Sequence, residues 1–173
     1  MKKYEIMLDD SIEYNDTKLY RIKALKDIRS DVHKGDIGCF EESESNLSQR
    51  KDCWIYGNAK VYGNAEITSH ATVSEDAEIS GSAFVTNNAK IFGHAKISGD
   101  AIIGDNANIS GNAYVAGNAG VCDNACICDS AYIVGNMTIG DDAKISGSTH
   151  LSGNLVILNS CHDSYLDEKN NWL

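Results

Sequence analysis

The sequence predicts an all-β chain wound as a parallel β-helix: a triangular prism of about six 18-residue turns with a small N-terminal β cap. Three observations predict it. From Ile55 to Ile157 an Ile, Val or Leu recurs every six residues, in 18 of 18 hexads and without an insertion. Four residues after each branched residue stands Ala, from Ala59 through Ala131 and again at Ala143, with departures at Met137, Thr149 and Leu155. Between them lies Gly, Asn or Asp in 16 of 18 hexads, followed by Asn, Asp, Ser or His. A period of six is a multiple of two, which is strand geometry; an amphipathic helix needs a period near 3.6.

Each part of the chain follows from its residues. Residues 1–52 lack the repeat. Tyr4 to Leu8 and Lys18 to Leu25 read as strands around a turn at Asn15-Asp16, and Val32 to Phe40, with Gly35-Asp36, as a third. A bare solenoid end exposes core and unpaired edges, so this segment reads as a cap. In residues 53–158 the β-branched side chain of each hexad suits a buried pleated surface. Gly, Asn or Asp turns the chain through positive φ. Ala fits inside the corner, where a larger side chain collides. Three hexads close one turn, and six turns at strand spacing make a prism roughly 29 Å long. Residues 159–173 break the repeat and read as a tail, or as a second cap through Tyr165, Leu166, Trp172 and Leu173.

The hexads from Cys53 to Leu158 resemble the hexapeptide-repeat left-handed parallel β-helix of the bacterial hexapeptide transferases. The left hand comes with that resemblance. The segments LYRIKALKDI, VHKGDIGCFEESESNLSQ and WIYGNAKVYGNA also resemble a recurrent leader of phage and prophage hexapeptide-repeat proteins. That leader usually reads Gly-Asp-x-Gly-Gly, and here Cys39 replaces the last Gly. The transferase resemblance implies a homotrimer, acetyl-CoA in a groove between subunits, and a His as general base. The corner histidines His70 and His94 are the candidates, although neither has an evident orienting partner and no loop interrupts the repeat.

Composition excludes several classes. With 15 basic and 25 acidic residues, net charge −10, direct nucleic-acid binding is not expected. No apolar run is long enough for a membrane span, and MKKYEIMLDD does not read as a signal peptide. Six cysteines are too few for a disulfide framework, so a reducing, cytoplasmic setting is expected. No two of the five His lie within ten residues, which argues against a three-His zinc site. Cys126 and Cys128 have Asn108, Lys144, Ser110 and Ser146 as column neighbours, so no zinc-thiolate site and no disulfide between them is expected.

Two functions are therefore weighed. The first is a non-catalytic phage-type scaffold or binding protein, homotrimeric, whose helix carries 4 Lys against 10 Asp and Glu and could act on a basic host protein. It needs no cofactor. The second is an acetyl-CoA-dependent acyltransferase using His70 or His94. The trimer contact is expected on the face led by Ile67. Apart from Glu66 that face carries no charge, and it presents Phe84, Ile102, Gly104, Gly120, Cys122, Thr138, Val156 and Leu158.

Overall fold

The computed structural model describes residues 2–158; the expected tail or second cap lies outside them. Strands β1 (Tyr4–Tyr14) and β2 (Thr17–Ala24) form an antiparallel hairpin. Its turn residues Asn15 and Asp16 take φ of 48° and 58°. Two successive left-handed residues match the twist of the flanking strands, and Asn and Asp tolerate that region best after Gly. Strand β3 (Ile37–Glu41) starts later than the sequence suggests. His33 to Asp36 are spent on a turn, closed by the Asp36 amide on the His33 carbonyl at 3.0 Å.

Eighteen two- to four-residue strands follow, from β4 (Trp54–Ile55) to β21 (Val156–Ile157). They stack parallel in three sheets, and each pairs with the strand one 18-residue turn away; Ile91 lies between Val73 and Ile109. We call the faces by their first inward residues, Ile55, Val61 and Ile67. From Ile55 through Leu151 all the repeating Ile, Val and Leu are buried, and so are the corner alanines Ala59 through Ala143. The fold is a parallel β-solenoid.

The N-terminal segment does more than cap. β3 joins the Val61 face, with Glu41 beside Val61, and Leu47 bridges to Ile67. Both partners lie twenty residues ahead instead of 18. A partial coil therefore precedes the six expected, and the solenoid has about seven turns. The hairpin extends the same sheet, which reaches nine strands. Cys39, in place of the leader's last Gly, is buried, and its thiol contacts the Gly57 and Ala59 carbonyls at 3.1 and 2.5 Å.

The corners differ. Between the Val61 and Ile67 faces every turn residue is Gly, from Gly63 to Gly153. A Cβ on Gly99 would stand 2.8 Å from the backbone of Gly117, closer than atoms pack. Between the Ile67 and Ile55 faces the same position holds Ser69, Asn87, Asp105, Asp123 and Asp141, all at positive φ. There the Asp carboxylates accept amides of the next coil: Asp123 N–H to Asp105 at 3.3 Å and Asp141 N–H to Asp123 at 3.0 Å. A glycine would leave those amides to solvent.

Candidate functional site

The corner between the Ile67 and Ile55 faces carries His70. Its Nδ1 is in short contact with Oδ1 of Asp52, one turn earlier in the same column. Arg29 donates to both backbone carbonyls, Asp52 and His70, each at 3.2 Å, and so ties the two coils at this point. His94, at the next corner, faces Asp76 at 3.8 Å, a looser ion-pair distance without a hydrogen bond. The expectation that neither histidine has an orienting partner is thus wrong. Stacking of coils places residue i beside residue i−18, and for both histidines that residue is an aspartate.

The His70–Asp52 arrangement has a defined chemistry. The Asp52 carboxylate orients the imidazole through Nδ1, the arrangement in which the other ring nitrogen can act as a general base. Beside it on the Ile67 face lies an open groove of about 530 Å³, lined by Ser48, Arg50, Lys51, Glu66, Thr68, Ser69 and Phe84. Lys51 and Ser69 are the chain neighbours of Asp52 and His70. His70 and His94 remain on separate corners, so they do not form one site. His150 packs edge-on to Tyr132, 4.6 Å between ring centres, and His33 lies 3.9 Å from Asp36.

The face chosen for assembly is one ladder. Glu66, Phe84, Ile102, Gly120, Thr138 and Val156 pair in unbroken sequence along it. Three of the six exposed large hydrophobic residues among those described are here: Ile102 at 55 %, Val156 at 70 % and Leu158 at 50 % exposure. Thr138 is exposed, and Phe84, Gly120 and Cys122 are half-buried. Gly104 is buried under the preceding coil, so it contributes flatness and little surface.

The cysteines are free thiols among the described residues, and Cys126 stacks between Asn108 and Lys144 as its spacing suggests. Burial pushes the Cys122 thiol up to about 11, helped by its contact with Asp123 at 3.4 Å. Burial also lifts Cys128 to about 11. Thiols held protonated are poor nucleophiles at neutral pH. One grouping is not visible in the sequence: ligand atoms of Asp105, Cys122 and Asp123 lie within 4.8 Å of one another. Column arithmetic finds Asp105 beside Asp123, but not that the Cys122 side chain turns toward them. Among the described residues no helix is long and apolar enough to cross a membrane. No protein-family model matches the chain, and no curated protein matches it.

Proposed function

We propose that the chain is a non-catalytic β-helix of the phage or prophage hexapeptide-repeat type, serving as a scaffold or binding protein in a homotrimer closed through the Ile67 face. The observation that carries this is the ladder from Phe84 to Val156, flat, apolar and uncharged, with Ile102, Val156 and Leu158 in solvent. Apolar strips of this kind are characteristic of contacts, and a head-to-tail contact repeated about a three-fold axis closes on itself. The remaining acidic surface fits a basic partner protein of a host cell. Phe84→Glu with Ile102→Lys puts unpaired charges into the contact. Light scattering after size exclusion is expected to give trimer for the parent protein and monomer for the double variant; a monomeric parent defeats the reading.

A second reading has its own observation, the Asp52-oriented His70 beside a groove with two cations. It is an acyltransferase taking acetyl-CoA, with His70 as base on the acceptor. A rise in melting temperature with coenzyme A or acetyl-CoA, and thiol release lost in His70→Ala, selects it. The scaffold reading expects neither.

A further inference from the structure

The end of the core beneath the hairpin holds a buried polar cluster. Lys3 is fully buried, a rare state for an ammonium. Its Nζ contacts the Cys53 carbonyl at 2.9 Å and the Cys53 sulfur at 3.2 Å. Cys53 takes the inner-corner position that Ala holds in the following coils, and it too is fully buried. Glu41 points inward beside Val61, and neither carboxylate oxygen has a hydrogen-bond partner. The Tyr4 hydroxyl close by is committed to the Leu47 carbonyl at 2.7 Å.

From this geometry we infer that Lys3 and Cys53 form an oxidisable pair, closed by peroxide into a covalent nitrogen–oxygen–sulfur bridge that fastens the N-terminal strand to the first full coil. Thiol and amine react with two molecules of hydrogen peroxide to give S–O–NH and three of water. The S–H and one N–H bond break, and S–O and O–N bonds form around one peroxide oxygen. Sulfur and nitrogen each lose two electrons, which the peroxides take up. The amine must be neutral to react. Burial lowers the Lys3 pKa, and the unpartnered Glu41 is the nearby group able to take its proton. Both side chains are fully buried, so peroxide must reach them through local opening of the chain around them.

The test uses the full chain, freshly reduced, then treated with hydrogen peroxide and mapped by intact and peptide mass before and after dithiothreitol. The expected product is heavier by about 14 Da, one oxygen gained and two hydrogens lost, with residue 3 linked to residue 53 and released by the reductant. Its melting temperature should exceed that of the reduced protein. The product should vanish in Cys53→Ala, which restores the repeat's own corner residue, and in Lys3→Met. Sulfur oxidation alone at Cys53, no change, or a heavier product surviving in Cys53→Ala would each overturn the inference.

Discussion

At the scale of single residues, one methyl group sets how tightly the prism can turn. Ala101 fills its corner completely, with no exposed surface. Ala101→Leu must push the coils apart or leave its rotamer, and is expected to lower stability by about 1–3 kcal/mol in a denaturant or thermal melt. Glu41 is the opposite kind of residue, one the fold tolerates at a cost. Burial strips its hydration and pushes its pKa up to about 8, which the charge of Lys3 only partly opposes. The folded state then holds the proton more tightly than the unfolded chain. The associated stability is complete below about pH 4.5 and is lost as pH rises through about 8. Glu41→Gln should therefore be more stable than the parent at pH 9, by roughly 2–4 kcal/mol, and within about 1 kcal/mol of it at pH 4. Urea midpoints at the two pH values decide this. Residues like these are unequally legible in the sequence. Ala101 announces itself by its place in the repeat. Glu41 does not, because the partial coil is two residues longer than the period, and counting back by 18 from Val61 misses it. Asp52 is found by counting back 18 from His70, but it stands one residue before the first expected coil and so reads as cap.

At the scale of elements, the hairpin is held by its tip as well as by its strands. Tyr14 donates to Glu78 at 2.9 Å, Tyr62 makes a short hydrogen bond to the other oxygen, and Lys96 pairs with Glu78 at 3.0 Å. Asn15 donates to the Tyr62 hydroxyl at 3.2 Å. Burial alone would raise the Glu78 pKa, but the bonds from Tyr62, Lys96 and Tyr14 together hold it below the ordinary carboxylate range. The sign is thus reversed from Glu41. This latch contributes above the unfolded pKa near 4.5 and loosens as pH falls below it. Limited proteolysis of the turn at Asn15-Asp16 should speed up between pH 6 and about 3.5, and Glu78→Gln should be cut faster at pH 6. An unchanged cutting rate would separate the tip from the Val61 face. The hairpin is visible in the sequence through its alternating apolar residues and its Asn-Asp turn. Where the tip lands is not, because that depends on how far the partial coil lifts the hairpin along the prism.

At the scale of the whole molecule, three faces with one backbone path have three different surfaces. The Val61 face is dressed with the latch at one end and a stack of Tyr114 on Tyr132, 4.9 Å apart, further along. The Ile55 face is covered at its start, where Tyr4 packs edge-on to Trp54 at 6.2 Å. The Ile67 face keeps its apolar ladder open, which is why the proposed assembly uses it and why the Phe84 and Ile102 variants are its sharpest test. This division is legible in the period alone, since sorting residues by 18 assigns each to a face. The uninterrupted period has a further consequence, for heredity. Loss or gain of eighteen codons within the solenoid removes or adds one coil and returns every later residue to its own column. Loss of six leaves each coil well formed but turns everything downstream by one face, so Ile102, Thr138 and Val156 would no longer share a surface with Phe84. A gene of this design can drift in length by whole coils without altering what the protein presents to its surroundings, while shorter steps keep the fold and erase the pattern written on it.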